Sequence, residues 1–205
     1  MESKKMSKDL VVTLYFMILL ALTGVYDIVA RDSAKIFRII LIVVTVWTTY
    51  FLFKVTFLKK SKIMYYCILV FIFLSMYLAN VWNFYGIPNY DKYLHLGSGV
   101  LLALIGYALF IYLCGGKEHP EINPLTPVIF SVIFSIAGAG IWEIWEFSTD
   151  TLFGLSAQNG SLIDTMVDII CGTVMGLITN IPIYLHSKGK RVKFIENILN
   201  EFKNN

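Results

Sequence analysis

The sequence has little charge for its length. Charged residues make up only 15% of its 205 residues, against about 25% in soluble domains, whereas hydrophobic residues make up 57%. Its three cysteines lie in or at the ends of apolar runs without C-x-x-C spacing, which is typical of small apolar fillers. The chain also lacks nucleophile-elbow, P-loop, zincin and dinucleotide-binding motifs. The low charge and high apolar content exclude a soluble globular domain. The missing motifs exclude the enzyme classes that carry them.

Long apolar runs fill most of the chain. There are six, each of roughly 20 residues and long enough to cross a ~30 Å hydrocarbon layer as a helix: residues 10–30, 36–58, 63–85, 94–114, 127–147 and 163–186. We therefore predict an all-α bundle of six transmembrane helices over residues 10–186, with tails at residues 1–9 and 187–205. The first run follows three lysines but is too long for the apolar part of a signal peptide, so it is predicted to be a retained span.

The basic residues are distributed unevenly between the two sides of these spans. With both termini in the cytoplasm, 13 of the 17 Lys and Arg residues lie on the cytoplasmic side, as the positive-inside rule requires of a plasma-membrane protein. This basic side faces anionic lipids, so membrane lipids are the predicted partners and nucleic acid is not. Residues 191–202 are predicted to form a short amphipathic helix on the inner surface, with a frayed helical tail as the alternative.

Seven titratable residues fall at the predicted outer ends of the last three spans, three or four positions apart within each span. They are Asp91 and His95, then Glu143, Glu146 and Asp150, then Asp164 and Asp168. On a helix this spacing projects each set from one face. Three such faces at one membrane depth are predicted to converge on one pocket.

This pocket would carry more negative than positive charge. Two carboxylates ~5 Å apart repel by about 3 kcal/mol at an effective dielectric constant near 20, and Lys92 is the one fixed cation in this part of the sequence. A divalent metal ion would balance the charge, and its identity stays open. Carboxylates with one imidazole suit zinc, manganese or iron, whereas oxygen ligands alone suit calcium or magnesium. The amino ends of spans four and six would also favour a bound phosphate.

Each residue has a predicted role. The sequence predicts metal ligands at His95, Glu143, Asp164 and Asp168, a general base at Glu146 or Asp150, and at Asp91 a residue that orients His95. Structural roles are the alternatives: Asp164 follows Ser161 by three, as in a capping box, and Asp91 suits the first turn of a helix. A lone histidine is more often packed than ligating.

Other side chains of the spans have simpler interpretations. Trp142 and Trp145 are typical of the aromatic belt at a membrane interface. Small residues in spans four and six are predicted to permit close helix packing; they are Gly97, Gly99, Ala103, Gly106, Gly172 and Gly176. Asp27 and Arg31, near the outer end of span one, either pair locally or join the pocket.

The sequence resembles a known group of membrane proteins. The motifs DKYLH at residues 91–95, WEIWEF at 142–147 and DTMVD at 164–168 resemble those of the bacterial YjdF-like multi-span proteins, which look related to the VanZ-like family. The likeness covers about half of the chain, roughly residues 80–180. It implies a shared role for Asp91, His95, Glu143, Glu146, Asp164 and Asp168.

Three functions fit these observations. The first is a metal-dependent membrane enzyme acting on an envelope lipid or a phosphate-bearing headgroup. The second is a transporter coupled to cations or protons, which the apolar inner halves of spans four and five disfavour. The third is a non-catalytic interaction protein whose acids contact a partner. The sequence leaves the oligomeric state open.

Overall fold

The part of the chain that the structure describes consists of helices joined by turns and irregular segments, without strands. The computed structural model describes residues 7–30, 33–115, 121–154, 158 and 160–203. Their helices are α1 (Lys8–Ala30), α2 (Ser33–Val55), α3 (Lys62–Ile72), α4 (Tyr90–Leu113), α5 (Leu125–Phe153), α6 (Leu162–Ser187) and α7 (Lys193–Lys203). Six helical segments are long and apolar enough to cross a membrane. The prediction of an all-α bundle with six spans is confirmed.

Two helices depart from the predicted pattern. α3 continues without a break into a π-helix over Phe73–Val81, so the third span is built from two kinds of helix. α5 ends at Phe153, six residues beyond the predicted limit, and stops at Gly154. Gly154 has a φ of 66°, the left-handed conformation that commonly ends a helix. The longer α5 places Asp150 on a helix rather than in a loop.

The helices group into two compact units, Met1–Ile87 and Pro88–Asn205. Side-chain hydrogen bonds hold the first unit together. The hydroxyls of Thr13 and Tyr65 lie 2.5 Å apart, and those of Thr23 and Tyr77 lie 2.8 Å apart. Asp27 also lies in this unit, only 2% exposed, and its Oδ2 has no hydrogen-bond partner among the described residues. Arg31, its predicted partner, lies outside the described residues.

The second unit is held together by close backbone contacts among α4, α5 and α6. Gly99 faces the backbone of Gly172 so closely that an added Cβ would overlap the Gly172 carbonyl oxygen. The Ser135 hydroxyl of α5 donates a hydrogen bond to the Gly99 carbonyl at 3.2 Å, and Ser131 donates to Ala103 at 2.7 Å. The predicted role in close helix packing is confirmed for Gly99 and Gly172.

α7 belongs to the second unit and packs against α4 and α6. Its apolar residues Ile195, Ile198 and Leu199 are buried. The predicted amphipathic helix is therefore present, but protein rather than lipid covers much of its apolar face. An apolar stripe at helical spacing suits either kind of partner, so the pattern alone did not distinguish them.

Candidate metal centre

Three helix ends meet at one end of the second unit. α4 and α6 begin there and α5 ends there, so the acids of all three helices come to the same level. We define the acidic end by the side chains that the structure brings together there, which are Asp91, Lys92, His95, Glu143, Asp164 and Asp168. Asp168 lies six residues into α6, about 9 Å from its start at 1.5 Å per residue.

Lys92 joins α4 to α6 at the acidic end. Its ammonium nitrogen lies 2.6 Å from Asp164 Oδ1, and 2.7 and 2.9 Å from the two carboxylate oxygens of Asp168. Asp91 Oδ2 lies 3.3 Å from the same nitrogen. From the sequence, Lys92 is predicted to pair with a neighbouring group or to contact lipid headgroups, and the pairing is confirmed. The structure places it against three of the four carboxylates.

His95 lies close to three carboxylates of the acidic end. Its Nε2 atom lies 3.7 Å from Asp91 Oδ1, 3.7 Å from Asp168 Oδ1 and 3.9 Å from Glu143 Oε1. These separations are longer than hydrogen bonds. The side chains of His95 and Asp168 are 7% and 2% exposed, whereas that of Asp91 is 32% exposed.

Glu143 is the least compensated acid at this end. It is 4% exposed, and neither carboxylate oxygen has a hydrogen-bond partner among the described residues. A buried carboxylate without such partners is costly, particularly in a membrane-spanning helix. His95, Gln158 and Thr165 are the polar neighbours of this carboxylate, and a bound ligand or a proton would compensate its burial further.

Asp164 takes part in the predicted helix cap and pairs with Lys92, while its role as a metal ligand stays a prediction. Its backbone N–H donates to Ser161 Oγ at 3.3 Å, which is half of the capping box predicted from the sequence. Its carboxylate bonds to Lys92 rather than completing the box. The cap fixes the start of α6, and the carboxylate of Asp164 contributes to the acidic end through Lys92.

The two predicted general bases lie further out along α5. Glu146 is one turn beyond Glu143 and accepts a hydrogen bond from the Trp142 indole at 2.8 Å. Asp150 is a further turn out, and its Oδ2 accepts the backbone N–H of Gln158 at 2.9 Å. The structure thus does not group these acids with the ion pairs of Lys92, and their catalytic roles stay predictions.

Gln158, which sequence reasoning missed, connects α5 to α6. Its side-chain amide donates to the Glu143 carbonyl oxygen at 3.3 Å and lies 3.0 Å from Thr165 Oγ1. Gln158 thereby ties the helix that carries Glu143 to the helix that carries Asp168. A polar residue between two spans gives no sequence signal for such a bridge, because loops are generally polar.

The donor atoms of Asp91, His95 and Asp168 suit a cation. One donor atom from each lies within 4.8 Å of the others. An ion between atoms spaced in this way would lie about 2–2.5 Å from each, the range of metal–ligand bonds. Four carboxyl groups face one lysine at this end, so a divalent cation would also reduce their repulsion. Asp91, predicted to orient His95, faces Nε2 itself and so groups with the candidate ligands.

Comparison with known proteins gives one match. Residues 11–189 match the family described as "Predicted membrane protein (DUF2238)". The chain belongs to this family. DUF2238 membership agrees with the resemblance to YjdF-like proteins, while the relation to VanZ-like proteins and a bacterial origin stay predictions. No curated protein and no solved structure matches the chain.

Membership of DUF2238 and the six apolar helices make this a multi-pass membrane protein. The matched residues contain the whole acidic end, from Asp91 to Asp168. Chemically, this arrangement can hold a cation between an imidazole and carboxylates. It also keeps a lysine beside that position, close enough to share Asp168.

Proposed function

We propose that this DUF2238 protein binds a divalent metal ion at the acidic end and uses it to hydrolyse a phosphate ester. The observation that carries the proposal is Glu143, which is buried beside His95 with both carboxylate oxygens unpartnered among the described residues. In a membrane-spanning helix such an acid is functional by default. A metal ion shared with His95 would supply the missing partner.

The proposed ligands are Asp91, His95 and Asp168, with Glu143 as a fourth. Imidazole together with carboxylates favours zinc, manganese or iron(II). Asp164, a predicted ligand, is instead the partner of Lys92 in this arrangement. Because Asp168 is shared between Lys92 and the proposed metal, the lysine limits the negative charge that the metal experiences.

The proposed reaction is metal-assisted attack of water on phosphorus. The water oxygen forms a bond to phosphorus while the bond between phosphorus and the ester oxygen breaks. The water proton passes to a carboxylate and then to the departing alcohol oxygen. Glu146 is the better-placed base because it lies one turn from Glu143, whereas Asp150 is bonded to the α5–α6 loop.

The packing beneath the acidic end favours hydrolysis over transport. One turn below His95, Gly99 meets the backbone of Gly172 with no room for a Cβ. Ser135 closes the third side through its hydrogen bond to Gly99. An ion path between these helices would need them to separate. Cation flux through proteoliposomes that depends on the acidic end would reverse this preference.

Metal binding is the direct test. We expect protein purified in detergent with native lipids to bind about one Mn²⁺ or Zn²⁺ per chain, measured by elemental analysis and calorimetry. His95→Ala and Asp168→Asn should each weaken binding by about 10-fold to 100-fold, the effect expected for removing a ligand or its support. Asp9→Asn is the matched control, since Asp9 pairs with Lys54 in the first unit.

The activity test uses the same proteins. Mn²⁺-loaded wild-type protein should release phosphate from a phosphomonoester, and Glu146→Gln should slow release without lowering metal content. Wild-type protein that binds no divalent ion would refute the proposal. Equal metal binding by wild-type protein and Asp168→Asn would refute this choice of ligands.

A further inference from the structure

A groove of about 550 Å³ lies between α5 and α6 beside the acidic end. Its polar lining includes Glu143, Gln158 and Thr165, and its apolar lining includes Ile144, Phe147 and Leu162. Glu143 therefore belongs both to the groove and to the group of acids around His95. The groove connects the proposed metal position to the side of the helix bundle.

The apolar lining of this groove lies within membrane-spanning segments. Ile144, Phe147 and Leu162 are 65%, 60% and 76% exposed, and all three belong to candidate spans. Apolar surface at this depth is covered by lipid hydrocarbon in a membrane. The neighbouring molecules with access to the groove are thus amphiphiles that carry chains on one side and headgroups on the other.

The two kinds of lining match the two parts of such a molecule. A hydrocarbon chain fits along the deeper lining residues Gly140, Ile144 and Ile169. The polar end meets Gln158, Thr165 and the carboxylate of Glu143, whose oxygens have no hydrogen-bond partner among the described residues. A phosphate would be repelled by Glu143 alone, because both are anionic. It is attracted if a divalent cation lies between Glu143 and His95.

We propose that the α5–α6 groove binds one membrane lipid that carries a phosphate headgroup, with its chain in the groove and its phosphate at Glu143 and His95. This inference rests on the proposed function, because the metal makes the phosphate end favourable. It names the substrate as a lipid that enters from the side of the bundle rather than a soluble phosphate ester. The same groove would let the alcohol product leave into the bilayer.

Gly140 offers a way to block the groove without disturbing the helix contacts. It lines the groove, and an added Cβ would meet no atom within 4 Å. Gly140→Phe should therefore fill the groove while α4, α5 and α6 stay packed. Ala137→Phe is the matched control, because Ala137 is exposed on the same helix and is absent from the groove lining. Leu162→Trp narrows the groove from α6 and gives a second, independent variant.

The experiment measures lipid retention by native mass spectrometry. Each protein carries the additional substitution Glu146→Gln, so that bound lipid is not hydrolysed, and is reconstituted with phosphatidylcholine and a minor fraction of phosphatidic acid, in Mn²⁺ or in EDTA, and then extracted into detergent. We expect wild-type protein in Mn²⁺ to retain one phosphatidic acid, and Gly140→Phe and Leu162→Trp to retain at least about fivefold less, which corresponds to about 1 kcal/mol. Ala137→Phe should match the wild type, and all four proteins should bind Mn²⁺ equally.

The outcomes separate this inference from the proposed function. Equal lipid retention by wild-type protein and both groove variants overturns the inference but leaves the metal proposal intact. Displacement of phosphatidic acid by glycerol 1-phosphate at equal concentration overturns the lipid assignment, because the chain would then contribute nothing. If the wild-type protein does not bind Mn²⁺, the proposed function is overturned. The proposed position of the lipid phosphate is then overturned as well.

Discussion

The two units hold their helices together in different ways. In the first unit, hydrogen bonds between side-chain hydroxyls join α1 to α3 and to the π-helix. Thr13 pairs with Tyr65, and Thr23 pairs with Tyr77. In the second unit, glycines let the backbones of α4 and α6 touch. Close backbones allow short carboxylates from neighbouring helices to meet within a few ångströms. The contacts that stabilise the second unit are thus the ones that assemble the acidic end.

The two units also differ in the partners of their paired acidic side chains. Asp9 in the first unit has Lys54 at 3.4 Å and the Tyr66 hydroxyl at 3.3 Å, an arrangement of one acid with two partners. At the acidic end Lys92 pairs with three carboxylates, and the fourth, that of Glu143, faces His95. An arrangement that served stability alone would not concentrate acids in this way, which supports a bound cation.

The largest effect is expected from separating α4 and α6. Gly99→Ala places a Cβ on the Gly172 carbonyl oxygen and should lower the free energy of unfolding by about 3 kcal/mol, the upper range for overpacking. It should also weaken Mn²⁺ binding, because Asp91 and His95 move away from Asp168. Denaturant titration in detergent and calorimetry measure the two effects.

Gly24→Ala in the first unit is the control for this prediction. Its added Cβ would lie 4.0 Å from the nearest atom, Ile39 Cδ1, which is an ordinary contact. Alanine also favours the helix by up to about 1 kcal/mol. If both substitutions change stability alike, close backbone contact does not distinguish the units.

Lys92→Met is expected to have a smaller effect. It should lower the stability of the metal-free protein and strengthen its binding of Mn²⁺. Without metal, loss of the ammonium group leaves Asp164 and Asp168 unpaired and should cost about 2 kcal/mol of stability, less than a fully buried pair because Lys92 keeps some solvent contact. Mn²⁺ should bind about tenfold tighter, since it no longer competes with the lysine for Asp168.

Lys54→Met provides the comparison in the first unit. Lys54 is 43% exposed and 3.4 Å from Asp9, so its removal should change stability by less than about 0.5 kcal/mol and leave Mn²⁺ binding unchanged. Weaker Mn²⁺ binding by Lys92→Met would contradict the competition that we describe.

The smallest effect is expected from a single hydroxyl of the first unit. Thr23→Val removes the partner of the Tyr77 hydroxyl and should cost about 1 kcal/mol, in the range found for hydrogen bonds between membrane helices. Thr45→Val is the control, because its hydroxyl bonds only to the Leu41 carbonyl of its own helix among the contacts described. The acidic end should bind Mn²⁺ as before in both variants.

The sequence predicts the spans and much of the acidic end because both depend on local periodicity. Apolar runs of about 20 residues identify the six helices. Spacings of three and four place Asp91 with His95, and Asp164 with Asp168, on single helix faces. The positions of these acids along their spans then indicate that they lie at one level.

What the sequence does not predict depends on how the helices are rotated against one another. Periodicity shows which residues share one face of a helix, but not which side chains of a neighbouring helix that face contacts. The bonds of Lys92 to Asp164 and Asp168 could therefore not be assigned from the sequence. The π-helix follows from a change in backbone hydrogen bonding that composition does not encode. Which surface the apolar face of α7 would cover was open for the same reason.

Gln158 restricts how the polypeptide between α5 and α6 can vary. Surface connections usually tolerate insertions and deletions among related proteins. Here one residue contacts the Glu143 carbonyl, Thr165 and, through its backbone, Asp150. Insertions or deletions on either side of Gln158 would disrupt these three contacts. The connection between α5 and α6 is therefore expected to keep its length among related proteins even where its residue types differ.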